Sequence, residues 1–391
     1  MRRLRYTIIT AMLTWAMLTQ AQTIALRLDS LMLDPLFETT QVGMMVHDLT
    51  TDQTLYTRGQ RQLLRPASTM KLLTAITALR ELGADYRVTT QLYTQGTIAD
   101  STFTGNIYCH GSLDPAFGDE DMNILIDSLR LAGINAINGT IVLDRSMKDN
   151  LPFGEGWCWD DRNPILTPLL YERADTFAAA LLAHLNAAGI TTNADIAEGI
   201  TPTEAQPIAS TSHTIGQLLL PMMKKSDNLY AEAVYYQIAA AAGTPYATAA
   251  MAKEAEQRLI ADLGLEPKDY RLADGSGLSL YNYLSAEVLV RLLRYAWKTP
   301  AIYESLYPTL PVAGLDGTLK DRMKGETTTA NVWAKTGTLS GISSLAGYAL
   351  TPDGHVLAFA IINQGVRSVR YGRDFQDRVC EILCAPAAST N

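Results

Sequence analysis

The chain reads as an α/β protein of the α+β type: an antiparallel sheet flanked by helices, interrupted early by an inserted α+β domain. Three observations predict this. Strand-like segments near the start are matched by three more close to the end, an apolar helical pattern follows the first strands, and a stretch in which Pro, Gly and Asp cluster separates the two parts. At 391 residues, 47% hydrophobic and 18% charged, there is material for a large core and more than one domain.

Arg2, Arg3 and Arg5 precede an apolar run from Tyr6 to Leu18, and Thr19-Gln20-Ala21 offers small residues for cleavage. Residues 1–21 are therefore expected to be a signal peptide, because the 16 residues from Tyr6 to Ala21 fall short of the ~20 that a membrane span needs. No cysteine follows the run, which argues against a lipid anchor there. A short amphipathic helix is expected near Ile24 to Leu33, then strands over Gln41–Leu49 and Thr54–Thr57 joined by a turn at Thr51-Asp52-Gln53. Pro66 and Ala67 lead into a helix whose Leu72, Leu73, Ile76 and Leu79 recur at helical spacing until Gly83.

From 85 to 208, strand-like segments (Arg87–Tyr93, Asn106–His110, Thr140–Asp144) and helical ones (Glu120–Ala132, Arg173–Gly189) mark the inserted domain. It divides the main domain into a first part at 22–84 and a second at 209–391. Near the end, strands over Asn331–Gly337, Ser343–Leu350 and Val356–Asn363 precede a closing helix, Arg370–Cys384, with Pro352-Asp353-Gly354 turning between the last two strands.

Composition narrows the function. The net charge of −8 becomes −11 once the three leader arginines leave, and that acidity argues against nucleic acid as a partner. His47, His110, His184, His213 and His355 are scattered and there is no C-x-x-C, so neither a metal nor another cofactor is expected. Cys109 and Cys158 are either a disulfide pair or two free thiols; Cys380 and Cys384, four apart on the closing helix, are poorly placed to bridge.

Three strings carry the chemistry: Ser68-Thr69-Met70-Lys71, Ser226-Asp227-Asn228 and Lys335-Thr336-Gly337, each present once. A serine hydroxyl is a weak nucleophile at neutral pH and needs a base. On a helix the residue three positions on lies on the same face, so Lys71 reaches Ser68. Its amine must be neutral to act, and burial beside another cation, with Lys335 as the candidate, favours that form; the helix start adds partial positive charge. Ser226 is expected between Lys71 and the departing amine as a proton relay, with Asn228 holding Lys71 and the substrate peptide. Lys335, with the hydroxyls of Thr336 and Thr338, is expected to hold a carboxylate on a strand edge that Gly337 opens to substrate backbone. The N–H groups of Ser68 and Thr338 would form an oxyanion hole. Singly each string has a bland explanation, a solvated helix start, ordinary caps or a β-edge; together, in order and context, they match the set with which penicillin-binding proteins and β-lactamases build a serine nucleophile.

On these residues the chain resembles the class C low-molecular-mass penicillin-binding proteins, the S13 D-alanyl-D-alanine carboxypeptidase/endopeptidases. Further similar segments are Gly111-Ser112-Leu113-Asp114-Pro115, Gly156-Trp157-Cys158-Trp159-Asp160-Asp161 and Asp274-Gly275-Ser276-Gly277-Leu278-Ser279. The resemblance implies a penicillin-binding protein/β-lactamase-like transpeptidase fold and an exported, periplasmic enzyme. Its substrates would be peptidoglycan peptides, with D-Ala-D-Ala termini or cross-links, and β-lactams its inhibitors. Peripheral membrane contact is left open. The resemblance implies that larger family members insert two extra domains after the first motif; here the insertion is too short for both, and the deletion is expected near Leu170 to Ala174. Asp161 occupies the place of an aspartate that approaches the side-chain amine of a diamino acid, or else is a loop carboxylate. Asp274 and Ser276 would line the groove wall, or simply shape a turn. Leu280 and Ser340 replace an arginine and a glutamine, so an amidated or otherwise altered stem peptide is expected. Two other readings share the motifs: a β-lactamase or D-specific esterase/amidase, and a catalytically silent cell-wall-binding scaffold.

Overall fold

The computed structural model describes residues 24–158, 163–241, 243 and 245–386. The expected leader and Asp161 lie outside the described residues. Helix α1 (24–31) precedes strands β1 (Gln41–Asp48) and β2 (Gln53–Arg58), and a 3-10 turn (Ala67–Met70) runs directly into helix α2 (Lys71–Glu81). After the inserted unit come helices α5 (Ile215–Lys224), α6 (Asn228–Ala240), α7 (Ala249–Asp262), α8 (Ala286–Lys298) and α9 (Pro300–Leu306). Strands β8 (Val332–Leu339), β9 (Ile342–Leu350) and β10 (Val356–Gln364) and helix α10 (Val369–Cys384) close the chain.

The first sheet has the order β2-β1-β10-β9-β8 with every neighbouring pair antiparallel. One face packs on α2 and α5 to α9, the other on α1 and α10. Cover on both faces explains why β9 and β10 are buried almost end to end and read as apolar runs, not alternation. Helix α2 is buried at every position from Lys71 to Leu79, so the expected one-sided apolar helix is enclosed on all sides. That enclosure places one charged motif residue, Lys71, at the centre of the molecule.

The inserted unit has its own sheet, β6-β5-β4-β3-β7, built from β3 (Arg87–Ala99), β4 (Thr102–His110), β5 (Ala136–Asp144), β6 (Thr191–Glu198) and β7 (Gln206–Thr214). Helices α3 (Asp119–Leu131) and α4 (Phe177–Ala187) pack on it around a separate core. The β4–β5 and β5–β6 pairs are parallel, each crossing over through one helix; β3 pairs antiparallel with β4 and β7. Sequence patterning misses β6 and β7 because both are edge strands rich in Thr, Ser, Asn and charged residues, with little apolar alternation. The boundary expected at 208 therefore falls inside β7, and the sheet ends at Thr214, whose hydroxyl caps α5.

Helix α4 starts at Phe177, not Arg173, because Glu172 and Arg173 hold left-handed backbone (φ 47° and 69°) in a tight bridge between Tyr171 and Ala174. The alternative of a Cys109–Cys158 disulfide is not realised: Cys109 is buried in β4, Cys158 is exposed on a loop, and both are free. Cys380 and Cys384 are buried and free as well.

Candidate active site

Ser68 sits in the 3-10 turn that opens α2, immediately after Ala67, which is forced into left-handed backbone at φ 48°. Such strain persists only where surroundings hold it, and here two glycines let other segments close in. A Cβ on Gly277 (φ 77°) would stand 1.9 Å from the Ala67 carbonyl oxygen. One on Gly337 would meet Ser344 Oγ at 2.1 Å and the Ser68 nitrogen at 3.0 Å. From β9, Ser344 donates to the Pro66 carbonyl at 2.5 Å. The nucleophile turn is thus held between a loop and the β8–β9 pair.

Lys71 Nζ lies 3.0 Å from Ser68 Oγ, 2.7 Å from Asn228 Oδ1 and 2.7 Å from the Ser276 carbonyl. A neutral amine has two N–H donors and one lone pair. The Asn228 and Ser276 oxygens can only accept, so they take both donors and leave the lone pair facing the Ser68 hydroxyl. The side chain is fully buried, and burial brings the amine down to about 8 against the opposing pull of Asp274, Glu232 and Asp227. Burial, rather than the charge of Lys335, is the downward cause. Lys335 is equally buried, and its own ammonium is held well below the usual value by burial first and by Lys71 second.

Ser226 joins α5 to α6 with φ 60°, and Asp227 caps α6 by accepting from the Leu229 and Tyr230 amides. That cap fixes Asn228 in the first turn of α6, aimed at Lys71. The Ser226 hydroxyl accepts from Lys335 Nζ at 2.8 Å, so its partner is Lys335 and not Lys71 as expected. With its oxygen engaged by Lys335, the Ser226 hydroxyl keeps its own proton available to donate. Lys335 also donates to the Thr336 carbonyl at 2.7 Å. Thr336 and Thr338 lie two apart on β8, the outermost strand of the sheet, and so share a face. Thr336 donates to Thr318 at 2.8 Å.

The structure therefore brings Ser68, Lys71, Ser226, Asn228 and Lys335 into one hydrogen-bonded cluster beside Thr336, Gly337 and Thr338. Of the two readings for Asp274 and Ser276, groove wall or structural turn, the contacts of Asp274 are those of a turn. Asp274 is buried, accepting from the Gly277 and Ser279 amides, from Asn282 Nδ2 and from Trp157 Nε1, each at 2.7–2.8 Å. Its four donors make it a staple of the loop behind the site. Ser276 is buried too and serves through its carbonyl on Lys71, while its amide donates to Glu232 at 2.8 Å. Leu280 is exposed, and its carbonyl accepts from Arg65 Nε at 2.8 Å.

Sequence reasoning missed Glu232. It lies one turn beyond Asn228 on α6, fully buried, and burial first and the charge of Asp274 second push its carboxyl up to about 8. A single acid inside the apolar run Leu229–Ala240 is the signal that could have found it. Arg173, reaching over from the inserted unit to pair with Asp227 at 2.8 Å, leaves no such mark.

Comparison with known proteins places the fold and the family. The chain is 28% identical over 438 aligned positions to a D-alanyl-D-alanine carboxypeptidase of Actinomadura sp. (strain R39), covering 86% of this chain and 80% of that protein. It is 25% identical to the D-alanyl-D-alanine carboxypeptidase DacB of Haemophilus influenzae, over 82% of this chain and 85% of that one. The crystal structure of penicillin-binding protein 4 (dacB) from Haemophilus influenzae superposes with a TM-score of 0.82 at 23% identity, over 90% of this chain and 99% of the other. The model of the D-Ala-D-Ala carboxypeptidase 3 (S13) family matches residues 24–169 and 169–385, two segments that abut beside the strained turn at 172–173. Since those segments span nearly all of the described residues, the chain belongs to the S13 family of D-Ala-D-Ala carboxypeptidases.

Proposed function

We propose that the chain is a serine-type D-Ala-D-Ala carboxypeptidase and DD-endopeptidase that hydrolyses peptidoglycan stem peptides through an ester on Ser68, and that β-lactams acylate the same oxygen. The observation that carries this is the Lys71 amine, buried, brought down to about 8 and 3.0 Å from Ser68 Oγ. As the peptide aligns along β8, the Ser68 proton passes to Lys71 and Oγ bonds to the penultimate carbonyl carbon. The developing oxyanion is received by the amides of Ser68 and Thr338. Ser226 gives its proton to the departing nitrogen as the C–N bond breaks, the proton that Lys71 took from Ser68 is passed on to restore the Ser226 hydroxyl and leave the amine neutral, and Lys335 with the Thr336 and Thr338 hydroxyls keeps the carboxylate of that product in place. Water then attacks the ester with Lys71 again the base.

Asp161 is assigned to the side-chain amine of the third stem residue. The Leu280 position removes one carboxylate partner from that wall, but Arg65 stands beside it. Comparing turnover on amidated and free stem peptides decides between them: a strong preference for the free form refutes an altered peptide. Residues 1–21 are assigned as a cleaved leader for export to the periplasm, which N-terminal sequencing of the mature protein checks. Among the described residues no helix is long and apolar enough to cross a membrane.

Mass spectrometry of the products from cross-linked peptidoglycan is the direct test: free D-alanine marks carboxypeptidase action and split dimers mark endopeptidase action. Neither product, together with fast hydrolysis of penicillin, would favour a β-lactamase; neither product and no penicillin adduct, a scaffold. A folded Ser68→Ala variant that still forms a stable adduct with labelled penicillin would overturn the assignment of the nucleophile.

A further inference from the structure

Helix α10 carries an arginine with no role in the chemistry above. Arg373 is exposed, and its Nη2 lies 3.4 Å from Thr338 Oγ1, the hydroxyl at the outer end of the carboxylate-holding face. Its place is fixed from three sides. A Cβ on Gly372 would stand 2.7 Å from Ser343 Cβ, so the glycine lets α10 settle directly on β9. Ser343 is the residue that faces Thr338 in the β8–β9 pairing, which carries position 373 over to Thr338. One turn on, Gln376 is buried and donates to Ser343 Oγ at 3.0 Å, while Arg322 donates to both the Arg373 carbonyl (3.2 Å) and Gln376 Oε1 (3.1 Å).

The guanidinium itself is uncommitted. The two aspartates of its own helix are taken, Asp374 by Arg370 and Asp377 by Arg322. Among the described residues its one polar side-chain contact is Thr338. An arginine kept free of carboxylates, in an acidic protein, beside two hydroxyls of one strand face, is suited to an anion supplied from outside. Its planar fork matches a carboxylate in two parallel hydrogen bonds, which the point charge of a lysine does not.

We infer that Arg373 is a specificity-determining residue that reads the free carboxylate next to the scissile bond, on the amine-side residue of the substrate, together with Thr338. The assignment rests on the proposed function. It also states a preference: an amine-side residue whose carboxylate is amidated is a poor substrate. Lys335 is engaged with Ser226, whereas Arg373 approaches the strand from α10 beside Thr338.

The test uses an N-acylated peptide ending in D-Ala-D-Ala and the same peptide carrying a C-terminal amide, assayed with the full-length protein, Arg373→Ala and Arg373→Lys. The parent should favour the acid over the amide. Arg373→Ala should lower the ratio of their kcat/KM values at least tenfold, chiefly through KM for the acid, with turnover of the amide within twofold of the parent; Arg373→Lys should recover part of the loss. Unchanged amide turnover doubles as evidence of an intact fold. Equal losses on both peptides would reveal a structural role and overturn the inference, as would an unchanged ratio. A parent that cleaves neither peptide would instead sink the functional reading and this inference with it.

Discussion

Replacing Asn228 by aspartate puts a carboxylate in the same volume, with its oxygen 2.7 Å from Lys71 Nζ. Unit charges about 4 Å apart interact by about 4 kcal/mol at an effective dielectric of about 20. At about 1.4 kcal/mol per pH unit this favours the ammonium by about three pH units. Lys71 would move from about 8 to the neighbourhood of 11. At pH 8 the neutral, proton-accepting fraction would fall from about one half to roughly one in a thousand. Acylation of Ser68 by a fluorescent penicillin, followed as a second-order rate constant between pH 6 and pH 11, reads this directly. The parent rate should rise with pH and level off above about 8, while Asn228→Asp should still be climbing at pH 10 and should approach the parent at the alkaline end. A variant whose profile bends at the parent's pH, or which is impaired by one constant factor at every pH, would refute the lysine as general base.

Gly337→Ala drives a methyl into Ser344 Oγ and the backbone of Pro66 and Ser68. Overpacking of this kind costs about 1–3 kcal/mol, and because the displaced atoms include the Ser68 amide, penicillin acylation should fall by much more than the melting temperature suggests; full activity would refute the close approach. Asp274→Ala strands four buried donors, and with unpaired buried groups costing about 1–3 kcal/mol each, chemical denaturation should show a loss of several kcal/mol, whereas a change confined to KM would return Asp274 to the groove wall. His213 is held above the usual imidazole value by its hydrogen bond to Asp114. A raised folded-state pKa stabilises fully below the unfolded value and is lost as pH rises through the folded one, so the gap in melting temperature between the parent and His213→Gln should narrow from pH 6 to pH 9; a constant gap would refute the ion pair.

The parts of the site that were legible in the sequence are those with local logic. Ser68 and Lys71 are one helical turn apart, Asp227 is an ordinary cap that happens to aim Asn228, and Gly337 marks a strand edge where backbone must come close. Strands β9 and β10 are plain because they are largely apolar and buried almost end to end. What escaped depends on contacts between remote segments. The sequence leaves Asp274 and Ser276 between groove wall and turn, and only the fold reveals that Trp157 and the loop amides consume the Asp274 carboxylate. The neutral Lys71 amine is expected from burial beside a second cation, Lys335, but burial alone lowers it, and how complete that burial is cannot be read without knowing that α2 is enclosed on every side. Strands β6 and β7 stayed hidden because an edge strand of polar residues leaves no periodic trace.

The contacts around Ser68 and Lys71 come from segments far apart in the chain. Lys71 is completed by oxygens 157 and 205 positions away, and the strained turn is gripped by Ser344, 278 positions from Pro66. Any shorter or incompletely collapsed polypeptide carries an ordinary alcohol next to an ordinary protonated amine, inert toward amides and antibiotics alike. In the proposed mechanism, then, Ser68 becomes a nucleophile only once these remote segments have come together.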